Sequence, residues 1–247
     1  MVKDFALVNR FPPCYHAHHA NYTEDLPFYL ELARRYGEPI VELGCGTGRV
    51  LHALQKAGYD VVGFDYEIAM LRFLRRRGVA KVFCADMTRF ALAPLFRLAL
   101  LPCNTYSTFT SPQRLALLGN VAQCLHKGGA FVVSFPNPAL LQSLPAKVES
   151  ELEEIFLHPE TSHPVQVFTT WQRDQDGLAV TWAYDHLFPD GNVERVEYRQ
   201  KYSLEAVSRF LAEIEQSGFS IRATYGSFDQ KPFDQRSPNV IVLAEKN

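Results

Sequence analysis

The sequence lacks the cysteine spacing of a disulfide framework or a zinc site. Its five cysteines are scattered along the chain without a Cys-x-x-Cys pair, which is typical of reduced thiols. Apolar runs near the ~20 residues of a membrane span are also missing, and polar residues and prolines interrupt the N-terminal segment too early for a signal peptide. We therefore expect a cytoplasmic protein without a membrane partner.

An excess of positive charge is absent as well. Lys and Arg number 25 against 27 Asp and Glu, which gives a formal net charge of -2. Such a chain has no overall basic field to attract a phosphate backbone, so nucleic acid is not an expected partner. The 247 residues are enough for one sizeable core, and we expect a single domain over 1–247 that is a monomer or a homodimer.

What the sequence does contain is a regular alternation of short apolar runs and helix-period segments over residues 40–135. Such alternation is typical of βαβ units around a parallel sheet. Two late apolar runs, Ser220–Tyr225 and Val240–Ala244, indicate an antiparallel closing pair. The pattern predicts an α/β fold with a doubly wound, mostly parallel seven-stranded sheet. Its five earlier strands are expected at Ile40–Leu43, Val61–Asp65, Val79–Cys84, Leu98–Leu101 and Phe131–Phe135.

Two segments depart from this alternation. Residues 138–202 show β-rich runs with turn pairs at Asp176-Gly177 and Asp190-Gly191, which predicts an antiparallel insertion after strand five that covers the substrate. Within it, Glu149–Glu154 is expected to be a solvated helix face. Residues 1–37 are expected to form an N-terminal helical cap.

A glycine-rich turn, Gly44-Cys45-Gly46-Thr47-Gly48, follows the first predicted strand. Glycine lets a backbone pass close to a ligand, and ligands of open α/β sheets bind beyond the carboxyl ends of the strands. Dinucleotide sites also have such turns, but here Arg49 takes the third glycine position and Glu42 precedes the turn. A carboxylate there repels a pyrophosphate and attracts a cation, which favours S-adenosylmethionine (SAM) over NAD.

Acidic residues follow the next two strands. Asp65 comes nineteen positions after Gly46, where a carboxylate can accept two hydrogen bonds from a ribose diol. Asp86-Met87 follows strand three, where a carboxylate can accept the adenine amino proton and an apolar side chain can cover the ring. Each acid alone is equally compatible with a solvated loop, but at the ends of consecutive strands they predict a site.

The segment Glu42–Gly48 resembles the first motif of class I SAM-dependent methyltransferases, and Asp65, Asp86-Met87 and Lys127-Gly128-Gly129 are similar to later motifs. The resemblance implies that Glu42 and the glycine turn hold the amino acid end of SAM, Asp65 the ribose, and Asp86 with the Met87 backbone the adenine. It is closest to small-molecule N- and O-methyltransferases. The cofactor-binding candidates are Glu42, Gly44, Cys45, Gly46, Gly48, Arg49, Asp65, Tyr66, Asp86, Met87 and Pro102.

Methyl transfer from a sulfonium is an in-line displacement, for which positioning supplies much of the acceleration. A base helps only where the acceptor must lose a proton, and the candidates for catalysis are Tyr22, His19, Asn104 and Tyr106. The cluster His16–His19 has no acid or thiol at a convincing ligand spacing, so we expect a solvated loop there and no metal site.

Three alternatives stay open. Pro102-Cys103 could be the nucleophile of a cytosine C5-type methyltransferase, although no basic surface accompanies it. The chain could also be a SAM-binding module without transferase activity, or an NAD-linked enzyme. Aromatic residues of the insertion, Trp171, Trp182, Tyr184, Tyr198 and Tyr202, could line an acceptor pocket or merely fill a sheet face.

Overall fold

The computed structural model describes residues 5–79, 81–93 and 96–247. The chain divides into two compact units. Unit 1 comprises the chain up to Thr23 together with Leu144–Tyr202, and unit 2 comprises Glu24–Ser143 together with Ser203–Asn247. The single-domain organisation over 1–247 stays a prediction. The expected N-terminal cap, 1–37, is divided between the two units, and its first four residues lie outside the described part of the chain.

The helices and strands follow in this chain order: α1 (Phe5–His19), α2 (Leu26–Tyr36), β1 (Ile40–Leu43), α3 (Arg49–Lys56), β2 (Val61–Asp65), α4 (Ile68–Arg76), β3 (Val82–Cys84), β4 (Phe96–Leu101), α5 (Ser111–Cys124), β5 (Leu125–Pro136), α6 (Pro138–Ser143), β6 (Lys147–Leu157), β7 (Pro164–Arg173), β8 (Leu178–Leu187), β9 (Val193–Tyr202), α7 (Val207–Gln216), β10 (Phe219–Tyr225) and β11 (Asn239–Lys246). A short 3-10 helix, Thr105–Thr108, lies between β4 and α5.

Unit 2 is built on a seven-stranded sheet in the order β10-β11-β5-β4-β1-β2-β3. β11 pairs antiparallel with both β5 and β10, and the other neighbours are parallel. This arrangement confirms the predicted fold class. β1 has β4 on one side and β2 on the other, so the strand order reverses there, and such a switch point opens a crevice at the carboxyl ends of the strands.

Apolar side chains on both faces of this sheet form two separate cores. Val41 and Leu43 of β1 pack on one face with side chains of α5 and α7. Ile40, at the start of the same strand, packs on the other face with side chains of α2, α3 and α4. Successive strand residues point to opposite faces. Burial on both sides explains why these strands are almost continuously apolar.

Unit 1 contains a four-stranded antiparallel sheet in the order β6-β7-β8-β9, which confirms the predicted antiparallel insertion after strand five. Its hairpins turn at the two Asp-Gly pairs expected from the sequence. Helix α1 belongs to the same unit, where Cys14 packs against Val165, Val167 and Tyr184. That the insertion covers the substrate stays a prediction.

The expected helix over Glu149–Glu154 is wrong, because these residues lie in strand β6. β6 is an edge strand with two irregularities in its pairing with β7. Acidic side chains and bulges on an edge strand discourage pairing with other chains. The irregularities interrupt the alternation of side chains between the two faces, and the sequence pattern therefore does not look like a strand.

The histidine cluster is also not a solvated loop, because His16, His18 and His19 lie in α1. The His18 side chain is only 7% exposed. Its Nδ1 lies 3.0 Å from the Tyr184 hydroxyl, and its Nε2 lies 3.4 Å from the Glu153 carboxylate. His18 therefore links α1 to β6 and β8 within unit 1.

Several element boundaries differ from those expected. β5 begins at Leu125 rather than Phe131 and includes Lys127-Gly128-Gly129, where Gly128 has a φ of 76°. β3 begins at Val82 rather than Val79, and residue 80 lies outside the described part of the chain. Over the described residues, we find no helix with the length and apolar character needed to cross a membrane.

Candidate active site

The glycine turn after β1 is held in a conformation that favours glycine. Gly44, Gly46 and Gly48 have φ values of 64°, 51° and 80°, in the left-handed region. The Cys45 N–H donates to the Phe64 carbonyl at 3.0 Å, and the Gly48 N–H donates to the Cys45 carbonyl at 2.7 Å. The turn thus leads from β1 into α3 at the switch point of the sheet.

A Cβ on two of these glycines would also crowd neighbouring side chains. A Cβ on Gly48 would stand 2.3 Å from Leu74 Cδ2, closer than van der Waals contact allows. A Cβ on Gly44 would stand 3.2 Å from Met87 Cε and 3.8 Å from the Thr105 side chain. The segments that follow β3 and β4 therefore approach this turn closely. That Gly44 and Met87 both bind the cofactor stays a prediction.

Asp65, at the end of β2, is tied to the turn. Its Oδ2 accepts the Gly46 N–H at 2.8 Å and its Oδ1 accepts the Glu67 N–H at 2.8 Å. Burial raises the carboxyl pKa above its usual value, and these backbone hydrogen bonds oppose the shift. A carboxylate has about four lone-pair sites, so Asp65 keeps acceptor capacity for a ligand.

Glu42, at the third position of β1, carries a buried carboxyl group. The residue is 2% exposed, and its Oε2 has no hydrogen-bond partner among the residues that the structure describes. Burial raises the pKa to about 8; Arg49 and a hydrogen bond from the Leu51 backbone lower it, and nearby Asp25 and Asp65 raise it. An unpartnered buried oxygen is costly, and an ammonium group supplied by a ligand would satisfy it.

Arg49 forms a buried ion pair that the sequence did not reveal. Its guanidinium donates to both carboxylate oxygens of Asp25, one of them at 2.6 Å, and to Cys103 Sγ at 3.0 Å. Asp25 is 1% exposed and directly precedes α2. Because 24 residues separate the pair, no local spacing indicates it. The one available hint was the arginine at the position where a dinucleotide-binding turn has its third glycine.

Asp86 and Met87 follow β3, as predicted. Asp86 Oδ1 accepts hydrogen bonds from the Thr88 N–H at 2.8 Å and the Thr88 hydroxyl at 2.7 Å. These bonds hold the carboxyl pKa below its usual value, so the group is ionised at neutral pH. Met87 is buried beside the turn, whereas Tyr66 is 69% exposed. The cofactor role of Tyr66 stays a prediction.

The loop after β4, Pro102–Phe109, is called the β4 loop below. Pro102 is buried at its start. Cys103 and Asn104 follow with φ values of 60° and 66°. Such a conformation costs roughly 1–3 kcal/mol per non-glycine residue and is concentrated at functional sites. Cys103 is exposed and contacts Arg49.

Tyr106 does not have the exposed hydroxyl that we expected. The residue is fully buried, with its ring 5.8 Å from the rings of both Phe135 and Phe210. Burial raises the pKa of the phenol well above its usual value, so at neutral pH the phenol is not ionised to act as a base. Its hydroxyl has no hydrogen-bond partner within the described part of the chain. We therefore assign Tyr106 a packing role, whereas Asn104 stays a candidate.

The two remaining catalytic candidates belong to unit 1. His19 Nδ1 lies 2.9 Å from the Tyr15 carbonyl, and the two rings stack at 4.1 Å. Tyr22 is 39% exposed, just beyond α1. Their catalytic roles stay predictions. Over the described residues, no group of three or more His, Cys, Asp and Glu side chains is arranged to hold a metal.

Comparison with known proteins identifies the chemistry. The profile of a methyltransferase-domain family matches residues 40–129, which include β1, the glycine turn, Asp65 and Asp86. Residues 40–129 therefore match a methyltransferase domain, and the chain is a SAM-dependent methyltransferase. Its cofactor is therefore SAM, and the NAD-linked and non-enzymatic alternatives are excluded.

Similar proteins cover most of this methyltransferase. The cypemycin N-terminal methyltransferase of Streptomyces sp is 23% identical over 220 residues, which is 85% of this chain and 84% of that protein. A SAM-dependent methyltransferase of Clostridium acetobutylicum has a TM-score of 0.80 at 14% identity, with 94% and 95% coverage. A sugar N-methyltransferase of Streptoalloteichus sp has a TM-score of 0.74 at 17% identity, with 95% and 92% coverage. At these identities the structural likeness concerns the fold.

Proposed function

We propose that this enzyme transfers the methyl group of SAM to a nitrogen atom of a small-molecule acceptor. The observation that carries the cofactor site is the unpartnered Glu42 Oε2, buried within electrostatic reach of Asp25 and Asp65. The Arg49 guanidinium is paired with Asp25, which leaves the Glu42 carboxyl to a cationic group of a ligand. SAM brings an ammonium and a sulfonium, so its cationic end matches a carboxyl that ionises on binding.

Each predicted contact has a physical basis in this site. Glu42 accepts the cofactor ammonium, and Arg49 offers a cation for the cofactor carboxylate. Asp65 keeps lone pairs for the ribose hydroxyls, because its two backbone hydrogen bonds use only part of its capacity. Asp86 accepts the adenine amino proton, with Met87 packed against the ring.

The transfer itself balances without a metal or a covalent enzyme intermediate. The acceptor nitrogen lone pair forms a bond to the methyl carbon as the carbon–sulfur bond breaks, and the bonding electrons remain on sulfur. The neutral thioether S-adenosylhomocysteine leaves, and the methylated nitrogen loses a proton to water or to a side chain. Positioning alone supplies up to ~7–11 kcal/mol in well-oriented displacements. Asn104, His19 and Tyr22 are the candidates for orienting the acceptor.

The preference for nitrogen is supported by the relatives. One curated relative is named an N-terminal methyltransferase, and one structural neighbour is named a sugar N-methyltransferase. Both acceptors contain an amine whose neutral form has a nucleophilic lone pair, which an alcohol matches poorly at neutral pH. An oxygen acceptor is the alternative that an acceptor screen decides.

Calorimetric titration with SAM, S-adenosylhomocysteine and NAD tests the cofactor site. Asp65→Asn should weaken SAM binding by about 10- to 150-fold, because a charge-assisted hydrogen bond contributes about 1.5–3 kcal/mol. Asp60→Asn is a matched control, since Asp60 precedes the same strand and pairs with Lys81 at the surface. Equal affinity in Asp65→Asn and wild type would contradict the ribose assignment.

An acceptor screen then tests the nitrogen proposal. Amino sugars, short peptides with free N-termini, phenols and sugar alcohols are incubated with SAM, and methylated products are detected by mass spectrometry. We expect turnover among the amines. Turnover of phenols or alcohols alone, with no methylated amine, would overturn the choice of nitrogen.

A further inference from the structure

Arg114, on α5, is a fully buried charged residue that no step of methyl transfer requires. Its guanidinium donates to Glu213 at 2.6 and 2.9 Å, to Glu205 at 2.5 Å and to the Phe109 carbonyl at 2.6 Å. It also lies 4.4 Å above the Phe210 ring. Burying a charge so completely is costly unless its partners are well placed, so these contacts hold a defined geometry.

The partners of Arg114 come from two segments of unit 2. Glu213 and Phe210 lie on α7, Glu205 lies just before it, and Phe109 ends the β4 loop. Burial would raise the Glu213 pKa, but hydrogen bonds from Arg114 and Ser111 outweigh it and hold that pKa below its usual value. Arg114 thus stays paired with an ionised acid and ties α7 to the β4 loop.

The β4 loop in turn borders the cofactor site. Near its start, Cys103 and Asn104 hold a left-handed conformation, which asparagine tolerates and which is unfavourable for cysteine. Cys103 meets Arg49, and Thr105 lies 3.8 Å from the position of a Cβ on Gly44. A loop in this conformation relaxes unless its surroundings hold it, and the Arg114 contacts are at its other end.

We propose that Arg114 is a positioning residue that holds the β4 loop against the glycine turn and Arg49, and so keeps the cofactor site in its binding-competent form. The inference rests on the proposed cofactor site. It assigns Arg114 no contact with SAM or acceptor, and it makes the competence of the site depend on a bond to the Phe109 carbonyl.

The test compares Arg114→Lys with wild type. Lysine keeps a positive charge between Glu205 and Glu213, but it cannot reproduce the planar fork that reaches both acids and the carbonyl. If the loop is then in place about a tenth of the time, the S-adenosylhomocysteine Kd rises about tenfold. The rate at which N-ethylmaleimide modifies Cys103 is measured by peptide mapping and divided by the rate at exposed Cys84, the internal reference. This ratio should differ between Arg114→Lys and wild type.

Arg209→Met is the matched control. Arg209 reaches the same two acids at 2.9 and 3.6 Å but is 58% exposed on α7. We expect its S-adenosylhomocysteine Kd and its Cys103 labelling to equal those of wild type. Glu205→Gln, which weakens one Arg114 contact, should shift both readouts in the direction of Arg114→Lys, and it decides the matter if Arg114→Lys does not fold.

The outcomes separate two kinds of failure. If wild type binds S-adenosylhomocysteine and a folded Arg114→Lys protein has the same Kd and the same Cys103 labelling, the positioning role alone is overturned. Equal changes in Arg209→Met also overturn it, because they indicate a general loss of stability. No binding of S-adenosylhomocysteine by wild type would overturn the proposed cofactor site itself.

Discussion

The buried carboxyl of Glu42 gives the sharpest test of how this methyltransferase holds its cofactor. With a pKa of about 8, the group is about nine-tenths protonated at pH 7 in the ligand-free protein. The cofactor ammonium requires the ionised carboxylate. We therefore predict that SAM binding at pH 7 releases about 0.9 proton, provided that the bound carboxyl has a pKa below about 5.

The same linkage predicts a pH-dependent affinity. The ionised fraction in ligand-free protein is about 1% at pH 6 and about 9% at pH 7, so the SAM association constant should rise about ninefold, or about 1.3 kcal/mol. Glu42→Gln removes this titration, and its affinity should be flat over the interval. An α-amino group titrates with a pKa of about 7.7–8.0, so measurements below pH 7 isolate the carboxyl.

The SAM affinity that Glu42→Gln loses at pH 7 also has an upper limit. The charge-assisted bond contributes about 1.5–3 kcal/mol, and ionising the carboxyl at pH 7 costs about 1.4 kcal/mol. Glu42→Gln should therefore weaken SAM binding by no more than about 15-fold at pH 7 and less at pH 6. If the Glu42 carboxylate were already ionised in the ligand-free protein, Glu42→Gln would weaken SAM binding far more, and at every pH.

Calorimetry in two buffers of different ionisation enthalpy measures the released proton directly. Wild type and Glu42→Gln are titrated with SAM at pH 6, 6.5 and 7, and the difference between the buffers gives the proton count. Equal proton release by the two proteins, or a wild-type affinity that does not change with pH, would refute the reasoning.

Three further predictions follow from the same contacts. The folded-state pKa of Glu42 lies above its unfolded value, so this group favours folding below about pH 4.5 and opposes folding progressively as the pH rises to 8. Thermal melts of ligand-free Glu42→Gln at pH 8 should therefore show a higher Tm than wild type. A lower Tm would contradict this prediction. Gly48→Ala should lose roughly 1–3 kcal/mol of stability in denaturant titrations, because the added Cβ meets Leu74 and φ is 80°. Gly58→Ala is the control, since its φ is 91° but its added Cβ meets no neighbour within 4 Å. It should lose less stability. Cys103→Ser should keep most methyl transfer, because the proposed displacement uses no covalent enzyme intermediate; complete loss, with a covalent adduct between wild type and a cytosine-containing oligonucleotide, would support the C5-type alternative.

The parallel sheet and the glycine turn were predictable because their signals are local. Strand runs such as Ile40–Leu43 and Val61–Asp65 match the structure at both ends, since burial on two faces requires continuous apolar residues. The turn needs φ values that glycine favours, so its three glycines mark it directly. Asp65 lies at the end of a strand next to β1, and parallel pairing alone brings it to the turn.

Strand β6 and the orientation of Tyr106 were not predictable in the same way. The bulges of β6 interrupt the period-two pattern on which a strand assignment depends. Tyr106 follows β4 at the position where a site residue is expected, and only its packing against Phe135 and Phe210 shows that the ring belongs to the core. The sequence spacing between Tyr106 and either phenylalanine does not indicate these ring contacts.

The sequence by itself determined the fold class, the place of the cofactor turn and the acids at the strand ends, because strand order and residue spacing bring these together in any doubly wound sheet. Only the tertiary structure decided which charges are paired. Asp25 meets Arg49, Arg114 meets Glu205 and Glu213, and Glu42 keeps an unpartnered oxygen. These electrostatic relations depend on side chains that are distant in sequence, on their distances and on burial, none of which periodicity encodes.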